Sequence, residues 1–558
     1  MPDPLTDLHT GSDANLKIAR RWLDECDRNH TACVSSQGPP VLPSRVIDVS
    51  SAQPFLYQSD GKCERYTILS HCWGKQQIIT TKLGDLETRL KEVSLASMSK
   101  TFREAVEITR RLGLRYLWID SLCIIQDSIR DWEVESFKMG AYYKSAYVTI
   151  SASGADDGTV GCFLARNPAS IQPILLSIRL HQAKESIQVI SRQPYFKVAP
   201  RRPTSLGMSR LDRRAWCLQE SIMSPRLLKF GHHQLEWACN TKLASENDVS
   251  GSFNSVSDQV DSFCPLVELQ AQLSYNGPLS KHNFWFDIVG QYTRRQLSHI
   301  SDMLPALSGI VANIQQLTGD IYLAGIWKSD LARGLLWRTP CRILRPRSPS
   351  STRIDIEDWR DVADWEAEFN SKHPQRSDSY HAPSWSWACI NNCFADWDLV
   401  FDWASIDNDV VYGDDLEQSK HGESCFNLQS AFTVPAGQNP FGQVTDGKLI
   451  LEGRIKKAEV RYWDLYYADN LVDPESGASI GKFDVDEVTS CFETVFCLPI
   501  LRRKLRYDDE GEDGESRVVG LAVELVDSSL QIFKRVGVIS TRSWEWFRDT
   551  HSRTLTMI

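Results

Sequence analysis

The chain has no stretch approaching the roughly 18 uninterrupted apolar residues that a membrane-spanning helix needs. Its longest candidate, Leu114–Ile125, is interrupted by Arg115 and Asp120. An excess of positive charge is also missing. Lys and Arg number 62 against 72 Asp and Glu, and the net charge of −10 disfavours broad attraction to nucleic acid or anionic lipid. A local basic patch of Arg201, Arg202, Arg210, Arg213 and Arg214 remains open beside its reading as a solvated loop. There is no Walker-type phosphate loop and no dinucleotide glycine fingerprint, so NAD, if bound, would be a substrate held in another geometry. No Gly-x-Ser-x-Gly surrounds Ser121, which removes the serine hydrolase elbow. No repeat of about 20 to 50 residues recurs, which removes solenoids and propellers.

A disulfide framework is absent as well. The 15 cysteines are scattered and odd in number, and Cys72, Cys123, Cys217 and Cys239 lie in apolar runs. The start, Pro2–Asn15, is polar and unlike a signal peptide, so a reducing compartment, the cytoplasm, is expected. Metal ligation finds no support at the adjacent His232 and His233, or at Cys389 and Cys393, which lack a matching second pair. No metal site and no cofactor are expected.

What is present is an ordinary globular composition, 42% hydrophobic and 24% charged, over 558 residues. At about 150 residues per domain this length suggests two to four structural units. The 18 tryptophans are many for this length and could fill a core, an interface or a groove. Ile18, Ala19, Trp22, Leu23 and Cys26 have helical spacing ahead of the connector Pro39–Pro43. Tyr66–Ser70 reads as a strand, Thr101–Leu112 as a helix closed by Gly113, and Tyr116–Ile119 as a buried strand. Asp131–Lys144 then reads as a helix and Ala146–Ser151 as a strand. This alternation is an α/β pattern, whose ligands gather at the carboxyl ends of the strands, here Ser70–Gly74 and Asp120–Asp127. Phe284–Leu317 reads as helical and Arg345–Thr352 as a linker. Lys448–Val460, Thr494–Leu505 and Val518–Ser540 alternate as strands do, around an acidic loop at Asp508–Glu515. The expected organisation is a helical segment and connector over 1–65, an α/β domain over 66–230, a mainly helical region over 231–345 and a β-rich region over 346–558.

Three stretches combine apolar character with polar residues that a plain core would not select: Leu69–Gly74, Tyr116–Asp127 followed by Asp131-Trp132, and Leu211–Glu220 followed by Ser224-Pro225-Arg226. At these stretches, from about Tyr66 to Glu220, the sequence resembles the fungal heterokaryon-incompatibility (HET) domain family. Tyr292, Leu304–Gly309, Tyr322–Trp327, Leu336-Trp337 and Ala382–Ala388 resemble recurring features of stand-alone HET proteins. The chain departs from the family at His71, where an aromatic residue, usually Tyr, is expected, and at Ala215, where Gly is favoured. The resemblance implies an effector of fungal non-self recognition and regulated cell death. No nucleotide-binding ATPase motif accompanies it, so any assembly signal must come from elsewhere.

Trp216-Cys217-Leu218-Gln219-Glu220 resembles the helix start of TIR domains, which have a flavodoxin-like α/β fold in which a helix glutamate supports NAD cleavage. The resemblance puts Glu220 at that carboxylate, with Asp120 assisting. It makes Ser70, Cys72, Trp73, Gly74, Ser121, Gln126, Asp127, Arg214 and Trp216 candidate substrate contacts. The competing readings are that Glu220 pairs with Arg214 or Arg226 on the surface, that Asp120 caps the next helix, and that Cys123 is an inert buried thiol instead of a partner for His71. The tryptophans then serve as core, with Trp73 the one stacking candidate. Three functions stand: an NAD-cleaving effector, a non-catalytic module that signals by oligomerising, and a metabolic enzyme that has reused the scaffold. Expected partners are an unidentified protein or a second copy, and a small nucleotide substrate, without nucleic acid and without a membrane span.

Overall fold

The computed structural model describes residues 9–33, 38–74, 78–165, 174–179, 186–191, 209–253 apart from 233 and 247, 278–339, 374–397 apart from 378, 392–394 and 396, 422–461, 469–487, 492–504, 516–541 and 544–558. Arg201, Arg202, His233, Cys393, the Arg345–Thr352 linker and the Asp508–Glu515 loop lie outside them. The chain forms two compact units, Met1–Gly277 and Pro278–Ile558.

The first unit is built on a mixed sheet. Its strands are β1 (Arg45–Asp48), β2 (Phe55–Gln58), β3 (Tyr66–Ser70), β4 (Tyr116–Trp118) and β5 (Val148–Ser151). A separate antiparallel pair, β6 (Ile174–Arg179) and β7 (Ser186–Ser191), follows. The sheet is completed by β8 (Arg226–Phe230), β9 (Leu235–Cys239), β10 (Lys242–Ser245) and β11 (Asp248–Phe253). Its order is β11-β10-β9-β8-β5-β3-β4-β1-β2. The central four, β8, β5, β3 and β4, run parallel. Every residue of β3, β4 and β5 is buried, as expected of parallel strands covered on both faces. The outer pairings are antiparallel.

Among the described residues six helices accompany this sheet: α1 (Asp13–Asn29), α2 (Leu86–Lys91), α3 (Lys100–Arg111), α4 (Asp120–Cys123), α5 (Ile129–Ser145) and α6 (Ala215–Met223). Serine caps set the three long ones, because Ser12, Ser99 and Ser128 accept from the backbone N–H groups of Asn15, Phe102 and Asp131. The α3 helix stops where Gly113 takes φ +79°. Two features differ from the sequence expectation. The segment before residue 66 carries the β1–β2 hairpin, which joins the sheet through β4. Residues 235–253, expected within a mainly helical region, are three strands that extend the sheet past β8. The buried-intermediate alternation of Leu235–Cys239 shows why: every second side chain faces the core.

The second unit begins with α7 (Pro278–Thr293) and α8 (Ser308–Thr318), so the helical expectation over Phe284–Leu317 resolves into two helices joined by short 3-10 turns. Here the quoted aromatic motifs meet. The indole N–H groups of Trp285 and Trp387 both donate to the Gly325 carbonyl, at 2.9 and 2.8 Å. Gly325 has φ +104°, and a Cβ there would lie 2.6 Å from Trp387 Nε1, so only glycine fits. Much of the tryptophan content is therefore core: Trp285, Trp337, Trp385 and Trp387 are all essentially buried.

The β-rich region closes on itself. Its long strands include β12 (Lys456–Arg461), β13 (Asp469–Val472), β14 (Ser479–Val485), β15 (Thr494–Lys504), β16 (Ser516–Asp527) and β17 (Ile532–Thr541). They pair in the ring β15-β12-β13-β14-β17-β16-β15, a six-stranded barrel. Val460, Leu471, Phe483, Val495, Val518 and Ile539 belong to its apolar core. Closure leaves these strands no free edge.

An ion pair ties the barrel to the tryptophan motif. Arg535, 0% exposed, binds both carboxylate oxygens of Asp486 at 3.0 and 2.9 Å. It also donates to the Leu335 carbonyl at 2.6 Å and stacks 3.4 Å from the Trp337 ring centroid. A buried guanidinium stripped of its partner is costly, so Asp486→Asn is expected to destabilise the second unit by about 3–5 kcal/mol in urea denaturation. Lys448→Ala, which breaks the half-exposed 3.7 Å pair with Asp446, is expected to cost less than about 1 kcal/mol. Equal effects would show that Asp486 does not carry the buried charge.

Candidate functional site

The parallel strands bring the first two segments to one edge of the sheet. The β3 strand ends at Ser70, and the chain leaves through His71, Cys72 and Trp73 to Gly74. Gly74 has φ +70°, and a Cβ there would lie 2.3 Å from the Asp157 Cβ, so the turn requires glycine. The neighbouring β4 ends at Trp118, and after Ile119 the single turn of α4 begins at Asp120. The third segment supplies Arg214 at the N-cap position of α6 and Glu220 on that helix. The helix is fastened to β5: Ser224 Oγ donates to the Glu220 carbonyl at 2.6 Å, and Ser224 and Thr149 share a hydroxyl hydrogen bond of 2.6 Å.

The centre of the arrangement is a bond across 150 residues, in which Ser70 Oγ donates to Glu220 Oε2. Glu220 is 6% exposed. Burial pushes its carboxyl above the usual glutamate range, against the Arg214 guanidinium and the Ser70 hydroxyl; the Asp120 charge adds to the rise. The Tyr143 hydroxyl is within hydrogen-bonding reach of Glu220 and donates to the Leu69 carbonyl at 3.1 Å. Arg214 donates to the His71 carbonyl. Its own desolvation is outweighed by its neighbours, the Glu220 and Asp120 carboxyls among them, which raise its pKa.

Asp120 joins the first two segments. Its Oδ2 accepts from the Trp73 indole at 2.8 Å, and its Oδ1 accepts from the Ser121 N–H at 2.7 Å, so it both steadies the start of α4 and faces the cluster. His71 Nδ1 lies 3.9 Å from Asp120 Oδ1, and its ring meets Phe102 edge-on at 5.0 Å. Its Nε2 has no hydrogen-bond partner among the described residues. Burial lowers the His71 pKa to about 4, with Arg214 also lowering it and Asp120 opposing, so this imidazole is neutral near pH 7.

Ser70, Cys72, Trp73, Asp120, Arg214 and Glu220 thus come together, with Gly74 shaping the turn. Gln126 and Asp127 point elsewhere. Gln126 Nε2 donates to the Asp120 and Ile124 carbonyls at 3.2 and 3.1 Å, and Asp127 accepts from the Leu83 N–H at 2.8 Å. Gln126 thus braces the turn from Asp120 to Ile124, and Asp127 the chain at Leu83. Ser121 is fully buried, and Trp216 lies half-buried in the first turn of α6. Burial pushes the Cys72 thiol up to about 11 and Cys123 up to about 12, so neither is a ready nucleophile near neutral pH. A surface ion pair for Glu220 is ruled out by its burial, and Arg226 instead pairs with Asp27 at 2.8 Å. Arg210 pairs with Asp156 at 3.1 Å, so its charge is partly neutralised. Tyr143, one of the apolar positions that mark α5 in the sequence, turns out to be a polar member of the cluster.

No metal ligands were expected, yet Cys26, His30, Cys33 and Cys239 place four donor atoms within 4.8 Å of one another, in another part of this unit. The signal that could have found them is Cys26-x3-His30-x2-Cys33 at the end of α1.

His71 gives the cluster a pH signature. Its folded pKa of about 4 lies below the ordinary 6.5, so the folded state binds fewer protons and the neutral ring's stability is fully present above pH 6.5. It is lost as pH falls toward 4, by roughly 3 kcal/mol in all. His71→Phe, which removes the titrating ring, is expected to flatten that part of the stability profile between pH 6.5 and 4, read by urea midpoints. An unchanged slope would show that His71 is not held neutral.

Residues 66–220 match the family model for heterokaryon incompatibility protein (HET), so a HET domain match runs from Tyr66 to Glu220. No curated protein and no solved structure matches the chain.

Proposed function

We propose that this protein is an effector of heterokaryon-incompatibility-type non-self recognition and regulated cell death, and that its HET domain cleaves NAD at the Glu220 carboxyl. The observation that carries the proposal is the hydrogen bond from Ser70 to Glu220, which brings the first and third segments together beside Asp120 and Arg214. Topology supports it. The parallel strands lie in the order β4-β3-β5-β8, second, first, third and fourth along the chain, which is the start of the flavodoxin-like order. In such sheets ligands bind beyond the carboxyl ends of the strands where the order reverses, here β3 and β5, and Ser70 sits there paired with Ser151. The likeness of Trp216–Glu220 to the TIR helix start points to the same carboxyl.

The reaction is hydrolysis of the bond between ribose C1′ and the nicotinamide nitrogen. Nicotinamide leaves with the bonding electron pair, an oxocarbenium-like centre develops at C1′, and water adds there and gives up a proton. The products are ADP-ribose and nicotinamide. A carboxylate beside the ribose hydroxyls stabilises the developing charge, and a carboxyl with a raised pKa can take the proton from water. Asp120, hydrogen-bonded to Trp73, would orient the substrate, with the Trp73 ring available to a nucleotide base. Among the described residues no helix is long and apolar enough to cross a membrane.

The depth of Glu220 favours a second reading, in which the cluster is a structural core and the domain signals without catalysis by associating with itself or a partner. Purified full-length chain incubated with NAD separates the two. The catalytic reading expects nicotinamide release, lowered about 100-fold or more by Glu220→Gln at unchanged thermal stability. No release from the wild type, even when the protein is forced to assemble, supports the second reading. Equal release from both proteins would mean that another group does the chemistry.

A further inference from the structure

We propose that Cys26, His30, Cys33 and Cys239 bind one structural zinc ion that clasps the two ends of the HET domain together. Cys26 lies in the last turn of α1, His30 is that helix's C-cap residue, and Cys33 ends the 3-10 turn Thr31–Cys33. Cys239 ends β9 and reaches the other three from a distant part of the chain. All four are buried, at 0, 5, 6 and 2% exposure, and none of the thiols is in a disulfide. Their donor atoms lie within 4.8 Å of one another, with Cys239 Sγ 3.4 Å from His30 Nδ1. Zinc held tetrahedrally, about 2.3 Å from sulfur and 2.0 Å from nitrogen, places its donors roughly 3.5–3.8 Å apart, so only a small contraction closes the site.

The donor set identifies the ion. Three thiols and one imidazole in a closed tetrahedron suit zinc and offer nothing to the hard, oxygen-seeking cations. With all four positions filled by protein, no place is left for water or substrate, which makes the site structural. Three thiolates around a divalent cation leave one net negative charge, and the surroundings answer it. The Arg226 Nε lies 3.2 Å from Cys26 Sγ as a hydrogen-bond donor, and the Thr241 hydroxyl lies 3.7 Å from Cys33 Sγ. Such outer contacts orient ligands and tune affinity.

Placement gives the site its consequence. The first three ligands precede the matched span 66–220 and the fourth follows it, so the ion would fix α1 to the strand that continues the sheet beyond β8. The folded domain therefore needs chain on both sides of its family match, and release or oxidation of the zinc thiolates would loosen it. This inference is independent of NAD cleavage.

Full-length protein, purified without chelators, is expected to hold one zinc per chain by elemental mass spectrometry, and Cys239→Ser to lose it. Cys389→Ser, which alters a buried thiol of the second unit, is expected to keep it. If Cys239→Ser does not fold, the wild type refolded with cobalt still reports, through the thiolate charge-transfer band and the intense visible bands of tetrahedral sulfur coordination. Arg226→Gln is expected to weaken zinc about 10–100-fold in chelator competition. Wild type with no stoichiometric metal and no tetrahedral cobalt spectrum would overturn the proposal, as would a disulfide among these cysteines in freshly purified reduced protein.

Discussion

A buried carboxyl needs a hydrogen-bond partner, and the HET domain of this chain is arranged around that need. Glu220 lies buried at the carboxyl edge of the sheet's parallel core, where desolvation penalises its charge, and the hydroxyl of Ser70 answers from the end of β3. From that contact the neighbours follow. Arg214 is held charged close by, Tyr143 fills the α5 side, and Asp120 fixes Trp73 on the adjacent strand exit. His71, in a position where related domains favour an aromatic ring, behaves as one: it packs edge-on against Phe102 and is kept neutral by burial. Its departure from the family pattern therefore adds a neutral ring whose contribution to stability is lost in acid.

The central α/β elements were legible because their signals are local. A helical repeat capped by serine and ended by Gly113 needs no distant partner to be recognised, and Tyr66–Ser70 and Tyr116–Trp118 are short apolar runs bounded by polar turns. Glu220 and Asp120 could be singled out for the same reason, within contiguous motifs. What brings them together is the pairing of β3 with both β4 and β5, and that is not a local property. Tyr143 stayed hidden because its spacing on α5 marks it as core, and its hydroxyl becomes relevant only when α6 packs beside it. Gln126 and Asp127 share the central stretch with Asp120, yet their side chains brace the turn after Asp120 and the chain at Leu83.

The same division explains the remaining differences. The barrel could be expected as β-rich from its alternation, but its closure depends on β16 pairing with both β15 and β17. The sheet extension over 235–253 was masked by neighbouring helical segments. The cysteine cluster was only partly legible: Cys26, His30 and Cys33 are close in sequence, but His30 and Cys239 are 209 residues apart and only folding makes them neighbours. Cys239 taken alone is one more thiol in an apolar run.

The account rests most heavily on Glu220 being a buried carboxyl whose pKa burial raises, and a direct measurement is its own titration. In protein labelled with ¹³C at the glutamate carboxyls, the resonance missing from Glu220→Gln identifies the group. The structure predicts that it titrates above the ordinary glutamate value of 4.5. A titration at or below that value would mean that the carboxyl is solvated or fully ion-paired, and would contradict the arrangement on which the site depends.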